Sequence, residues 1–226
     1  MAVDIAPELL AAIREDWNRE MQRSRQIQNL RERFDNGRGG FLQAEHYAAE
    51  AGRLLSNAFK ANLTEEILPN GRVYYNIANR IIPPMLQSDY TDITEQTAKI
   101  VKRLNEEEGI GLNAVIPDFS DEEDRVKGLV DGISNQETLD KALFYVGEPI
   151  VNFSVHAVDM MAKKNGEFQR SVGLYSVIIR SSNGRCCPWC DQFVGEYVPG
   201  RAGEAYARHE NCNCLVEFKP KRIRAR

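Results

Sequence analysis

Cysteine is absent from the first 185 residues of this 226-residue chain, and all five cysteines follow within the C-terminal segment. An odd number of cysteines cannot pair completely in disulfides. The chain begins Met-Ala-Val-Asp, without the basic and then apolar segment of a secretory signal. We therefore expect a reducing compartment and free thiols rather than a disulfide framework.

Long hydrophobic runs and an excess of positive charge are also lacking. No run approaches the ~20 apolar residues that a membrane-spanning helix needs, so we expect no membrane association. The net charge of −4 argues against a protein whose whole surface binds nucleic acid. A hydrophobic content of 42% is nevertheless ordinary for a folded globular chain.

Apolar residues at helical spacing predict a helical N-terminal body. One stripe predicts a single long helix that ends at Gly37 and has Pro7 in its first turn; its apolar residues are Ile5, Leu9, Ile13, Trp17, Met21, Ile27, Leu30 and Phe34. A second helix is expected over Leu42–Leu63, with His46 as an ordinary surface or packing residue.

Further helices are predicted by proline, glycine and capping signals. The segment Val73–Ile81 should end before Pro83-Pro84, and Thr91 should cap a helix that runs to the acidic residues 106–108. A loop over residues 110–119 precedes a helix that begins near Ser120. The last helix is expected from Gln136 to about Lys164, bent at Pro149 and ended by Asn165-Gly166, with His156 as a packing residue.

From Leu174 the pattern changes to short β-type segments. Leu174–Arg180 predicts a strand, Phe193–Val198 a hairpin around Gly195, Ala202–Arg208 a short helix and Leu215–Phe218 a final strand. The predicted fold class is therefore mainly α with a small, zinc-stabilised α+β module at the C-terminus. The predicted division is a helical body over residues 1–172, the module over residues 173–218 and a basic tail over residues 219–226.

Two cysteine-rich clusters in this module have the spacing of a metal site. Cys187-Pro188-Trp189-Cys190 offers two sulfurs on one tight turn, and His209, Cys212 and Cys214 offer three more donors. Structural zinc sites use four such donors in a tetrahedron, so one of His209, Cys212 and Cys214 is a spare, and the spacing leaves open which one. Cys186 is expected to point away from the metal.

Other roles for these cysteines are less well supported. A thioredoxin-type redox motif needs a Cys-x-x-Cys that opens a helix, whereas the residues after Cys190 predict a hairpin. Catalytic zinc usually keeps one position open for water, whereas four or five soft donors would close the sphere here. We therefore expect structural zinc and no enzymatic activity.

The C-terminal tail carries five positive side chains and no acidic one: Lys219, Lys221, Arg222, Arg224 and Arg226. Such a tail can contact phosphate and release counterions. A solvated terminus that contacts nothing is an equally good interpretation.

The series Arg185-x-Cys187-x-Trp189-Cys190-Asp191, followed by Arg208-His209-Glu210-Asn211-Cys212-Asn213-Cys214, resembles the C-terminal signature of minor head proteins of tailed bacteriophages. These proteins form the Mu F-like head morphogenesis family. The resemblance covers about the last fifty residues, and most members have arginine where Asn213 stands.

The resemblance implies a structural virion protein that acts in head assembly or DNA packaging. It would lie inside the head, in contact with the portal, the major capsid protein or the packaged DNA, and in the host cytoplasm during assembly. It implies no membrane and no small-molecule substrate.

Two other functions remain open at this point. One is a zinc-dependent nucleic-acid-binding protein that presents arginines of the module to phosphates, in addition to the tail; these are Arg180, Arg185, Arg201 and Arg208. The other is a thiol redox enzyme that uses Cys187 and Cys190, which tightly bound zinc would exclude.

Overall fold

A computed structural model of the protein describes residues 4–182, 184, 187–209, 212 and 214–221. Helices form most of the described chain, and three short strands lie near its C-terminus. The elements are α1 (Ala6–Arg23), α2 (Arg25–Asp35), α3 (Phe41–Asn62), α4 (Tyr75–Glu107), α5 (Glu123–Ser134), α6 (Leu139–Tyr145), α7 (Glu148–Ser171), β1 (Tyr175–Ser182), α8 (Pro188–Asp191), β2 (Gly195–Tyr197) and β3 (Cys214–Lys221). The predicted fold class, mainly α with a small α+β module, is confirmed. None of the described helices is both long and apolar enough to cross a membrane.

Helices α3, α4 and α7 pack against one another at the centre of the protein. The α3–α7 contact is close at Gly52, where a methyl group in place of the glycine hydrogen would lie 2.5 Å from Ser154 Oγ. Ser154 in turn donates a hydrogen bond to Asp89 on α4. These three residues therefore mark the point where the three helices meet.

The N-terminal stripe forms two helices, so the prediction of one long helix is wrong. Ser24 interrupts it with extended backbone angles, and its side-chain oxygen accepts a hydrogen bond from the Ile27 backbone N–H at the start of α2. Every residue of the stripe except Ile5 is buried. The apolar pattern thus identified the buried face correctly, although a capping serine changes the direction of the chain.

The prediction that Pro83-Pro84 ends a helix is also wrong, because α4 continues through both prolines. Each proline removes one backbone hydrogen bond and normally breaks a helix. Here the neighbouring residues Ile81, Ile82, Met85 and Leu86 are completely buried. Their burial offsets the lost bonds, and Thr91 is an internal residue of α4 rather than a cap.

The last long helix differs from the prediction at both ends. Its first part is a separate helix, α6, and Pro149 lies in the first turn of α7 instead of bending a continuous helix. At the other end α7 runs past Asn165-Gly166, and both residues are buried. Gly166 makes room for a close approach there, because an added Cβ would lie 3.1 Å from side-chain atoms of Ile178 and Pro199.

The three strands form an antiparallel sheet in the order β2-β1-β3. Gly195 is the first residue of β2 and pairs with Arg180, so the predicted hairpin around Gly195 is wrong. Strand β3 continues to Lys221, which places the first three residues of the predicted tail in the sheet. Ile178, Val216 and Phe218 share one hydrophobic core with the helices, and the division into domains stays a prediction.

Candidate metal centre

The sheet brings the two cysteine-rich clusters together. Strands β1 and β3 pair so that Ser182, near the first cluster, lies opposite Cys214. Cys187 caps the single turn of α8 and Cys190 lies within it, and the Cys190 backbone N–H donates to Cys187 Sγ over 3.3 Å. This is the tight Cys-x-x-Cys turn that the sequence predicts, and it presents both sulfurs at one end of the sheet.

The side chains of all five predicted ligands lie in one cluster. One group consists of Cys187, Cys190 and His209, and a second consists of Cys190, Cys212 and Cys214; in each group the donor atoms lie within 4.8 Å of one another. His209 Nε2 is 3.2 Å from Cys187 Sγ and 3.0 Å from Cys190 Sγ. The sulfurs of Cys190 and Cys212 are 3.6 Å apart.

These distances suit a metal ion. With metal–sulfur bonds of about 2.3 Å and metal–nitrogen bonds of about 2.0 Å, neighbouring donors of a tetrahedral site lie roughly 3.5–3.8 Å apart. Small movements of the side chains would bring four donors to that spacing. The cluster can therefore bind a metal ion, whereas Cys186 lies outside the described residues.

The two cysteines of the Cys-x-x-Cys turn differ in acidity. The backbone N–H of Cys190 stabilises the Cys187 thiolate and lowers the pKa of Cys187 to about 7. Burial and the neighbouring cysteines instead raise the pKa of Cys190 well above its usual value. Of these two cysteines, Cys187 is therefore the one that loses its proton more readily when a metal binds.

A one-turn helix, α8, lies within the motif itself, and residues 192–198 form no helix, in agreement with the prediction. Helix α8 ends at Asp191, and the chain then enters β2. Trp189, 42% exposed, packs edge-on against Phe193 and His209 with ring centroids 4.9 and 5.4 Å apart. These contacts hold the imidazole of His209 over the Cys-x-x-Cys turn.

Arg180 on β1 is a member of the site that sequence reasoning did not place there. It is only 1% exposed, and its Nη2 lies 3.4 Å from Cys190 Sγ and 3.8 Å from Cys212 Sγ. Arg180 is therefore not available to face phosphate, as the nucleic-acid-binding alternative would have it. Its burial could have been found from the strand pattern, because Arg180 shares the inward face of β1 with Ile178.

Arg208 anchors the second half of the cluster to the helices. Its side chain is 7% exposed and forms ion pairs with Asp159 of α7 and Glu45 of α3. It also donates to the Cys214 carbonyl oxygen over 2.8 Å. Arg208 is likewise not available to face phosphate, because buried carboxylates pair with it. These contacts fix the residue next to His209.

Three of the remaining residues proposed for nucleic-acid contact are described by the structure, and all three are exposed. Lys219 and Lys221 are exposed on β3, and Lys221 Nζ lies 5.7 Å from the centroid of the Tyr175 ring. Arg201 is exposed. Arg185, Arg222, Arg224 and Arg226 lie outside the described residues, so contact with nucleic acid stays a prediction.

The other two histidines take no part in the cluster. His46 is exposed on α3, in agreement with the prediction of a surface or packing residue. His156 is buried on α7, with its Nε2 3.3 Å from Glu122 Oε2. Both positions agree with the interpretation of these residues as non-ligands.

Comparisons with protein-family models, curated proteins and solved structures find no match. The resemblance of the cysteine-rich segment to phage head proteins therefore stays a prediction.

Proposed function

We propose that this protein is a structural minor head protein of a tailed bacteriophage, with a structural zinc ion in its C-terminal module. The observation that carries this proposal is the clustering of all five donors of the Cys-x-x-Cys and His-x-x-Cys-x-Cys signature at one end of the sheet. The signature is the part of the chain that resembles the Mu F-like head morphogenesis family.

Zinc is the metal that the donor set favours. Cysteine sulfurs with one imidazole nitrogen are typical of structural zinc sites, whereas carboxylate and carbonyl oxygens suit magnesium or calcium. Four protein donors close the coordination sphere, so the ion has no open position for a substrate. Zinc bound here would join the turn at Cys187 and Cys190 to the segment that begins at His209.

A fixed module on a helical body suits an architectural role. The ion pairs of Arg208 with Asp159 and Glu45 connect the metal-binding segment to α7 and α3, so the module presents its surface in one orientation. The proposed partners are the portal and the major capsid protein, with packaged DNA as a further contact for the basic tail. The proposed location is the head interior, and the host cytoplasm during assembly; no enzymatic activity is proposed.

The nucleic-acid-binding alternative loses part of its support. Two of its four candidate arginines, Arg180 and Arg208, have buried side chains with partners inside the protein. Among the described residues, Arg201 is the one exposed candidate of the module, and the exposed Lys219 and Lys221 belong to the predicted tail. The alternative therefore depends mainly on the tail.

The proposal is tested by quantitative mass spectrometry of purified, nuclease-treated phage particles, with copies of this chain counted against the major capsid protein. A reproducible stoichiometry of a few copies per particle is the expected result. Absence from the particles, with the protein abundant in infected cells, would reject the head-protein function and favour the soluble nucleic-acid-binding alternative.

A further inference from the structure

Arg180 is a buried cation whose hydrogen-bond acceptors are backbone carbonyls and cysteine sulfurs. Its Nη1 donates to the carbonyl oxygens of Ala205, over 3.0 Å, and of Ala207. Its Nη2 is directed at the sulfurs of Cys190 and Cys212. Within the described part of the chain, Arg180 forms no ion pair with a carboxylate.

In this arrangement the cysteine sulfurs are the groups placed to compensate the charge of Arg180. A buried guanidinium is costly unless an anion compensates it, and arginine does not lose its proton in a protein. Carbonyl oxygens supply dipoles but no charge. The cysteines are therefore the groups that can balance Arg180, and they do so when they are thiolates.

We propose that Arg180 is the fixed positive charge of the metal centre and that it selects a ligand set of three thiolates and His209. This inference rests on the metal site of the proposed function. A zinc ion with three thiolates and a neutral imidazole carries one net negative charge, which Arg180 cancels. Four thiolates would leave one negative charge uncancelled beside Arg180, which is itself buried.

Arg180 acts as a positioning residue in this proposal, because it touches the ligands and not the metal. Its hydrogen bonds hold the sulfurs of Cys190 and Cys212 on the side of the cluster that faces β1. Groups that hydrogen-bond to metal ligands in this way orient them and typically contribute 10–100-fold to metal affinity. The fifth donor, one of Cys212 and Cys214, does not bind the metal in this proposal.

The first test compares zinc affinity among variants of the full chain by competition with a chromophoric chelator. Arg180→Met should weaken zinc binding by about 10–100-fold, while Arg180→Lys keeps the charge and should recover most of the affinity. Arg201→Met is the matched control, because Arg201 is an exposed arginine in the same module. Equal affinities for Arg180→Met and the unchanged protein would overturn the proposal.

The second test counts the ligands in the unchanged protein, so it does not depend on the folding of a variant. The absorption spectrum of the Co²⁺-substituted protein distinguishes three sulfurs and one nitrogen from four sulfurs. We expect the former, and we expect only one of Cys212→Ser and Cys214→Ser to lose a sulfur ligand. A spectrum of four sulfurs would overturn the proposal.

The two proposals fail in different ways. If the protein binds neither Zn²⁺ nor Co²⁺, the metal site of the proposed function and this inference are both rejected. If the protein binds zinc tightly through four sulfurs, or binds it equally well without Arg180, this inference alone is rejected and the metal site is kept. Copy number in phage particles is unaffected by either result.

Discussion

Arg208 and Asp159 form a two-point ion pair inside the protein, between the segment that carries His209 and helix α7. The Arg208 Nε and Nη2 atoms lie 2.5 and 2.7 Å from the two carboxylate oxygens of Asp159, whose side chain is completely buried. Glu45 of α3 accepts a further hydrogen bond from the same guanidinium. The segment that carries His209 is therefore attached to the helices by a buried charge network as well as by apolar packing.

The first prediction is that Asp159→Ala destabilises the protein strongly. The substitution leaves Arg208 with Glu45 as its remaining carboxylate partner, and breaking a buried ion pair in this way typically costs about 3–5 kcal/mol. The surface pair Lys164–Asp121 provides the control, because both side chains are about one-third exposed. Asp121→Ala should cost less than about 1 kcal/mol. Urea unfolding of both variants measures the difference, and similar midpoints would contradict the prediction.

The second prediction concerns Cys190, which belongs to both groups of the cluster. Cys190→Ser should release the metal and make the last fifty or so residues sensitive to protease, while the helical circular-dichroism signal persists. Cys186→Ser is the control, because Cys186 is not a proposed ligand and its loss should leave the metal in place. Metal content and limited proteolysis are the measurements. Unchanged metal content and unchanged cleavage of Cys190→Ser would reject the role of this residue.

The candidate metal ligands could be predicted from the sequence because their spacing is local. Cys187 and Cys190 lie on one turn whatever surrounds them, and the second set of donors is equally compact. The partners of Arg208 could not be found in this way. Asp159 and Glu45 are 49 and 163 residues away from it along the chain, so their meeting depends on the packing of α3, α7 and β3.

Helix boundaries show the same division between local and non-local causes. Apolar spacing predicted the buried face of α1 and α2, because burial depends on the side chains themselves. It missed the break at Ser24, where the stripe continues without interruption. At Pro83-Pro84 the local rule predicted a helix end, but the burial of Ile81 and Met85 against other helices determines the structure.

The third prediction is a pH dependence that originates at Asp89. This residue is 0% exposed, and it accepts a hydrogen bond from Ser154 Oγ at one oxygen while the other has no partner. Burial raises the pKa of Asp89 from 3.8 to about 8, so the folded protein keeps a proton that the unfolded chain releases. The resulting stabilisation is complete below pH 3.8 and is lost as the pH rises towards 8.

The Asp89→Asn variant tests this sign. Asparagine has nearly the same shape as aspartic acid and stays neutral. The free energy of unfolding of the variant should therefore lack the pH dependence that Asp89 contributes. Between about pH 5 and pH 8 the unchanged protein should lose stability relative to the variant by up to about 1.4 kcal/mol per pH unit. Urea unfolding across this range is the measurement. Parallel curves for the two proteins would show that Asp89 does not hold a proton in the folded state.

The fourth prediction uses two helical glycines with opposite surroundings. At Gly52 of α3, an added Cβ would lie 2.5 Å from Ser154 Oγ and 3.0 Å from the Val151 Cα, so α3 and α7 would have to move apart. Gly52→Ala should therefore destabilise the protein by about 1–3 kcal/mol, as overpacking does in other cores. Thermal or urea unfolding measures the effect.

Gly128 of α5 is the matched control, because a Cβ there meets no atom within 4 Å. Gly128→Ala removes the conformational freedom of a glycine within a helix and should stabilise the protein by about 0.5–1 kcal/mol. The same substitution is thus expected to have opposite signs at the two positions. If Gly52→Ala were as stable as Gly128→Ala, the contact between α3 and α7 would be looser than the 2.5 Å approach to Ser154 implies. Close packing of α3, α4 and α7 at Gly52, Ser154 and Asp89 would then not be needed for the stability of the fold.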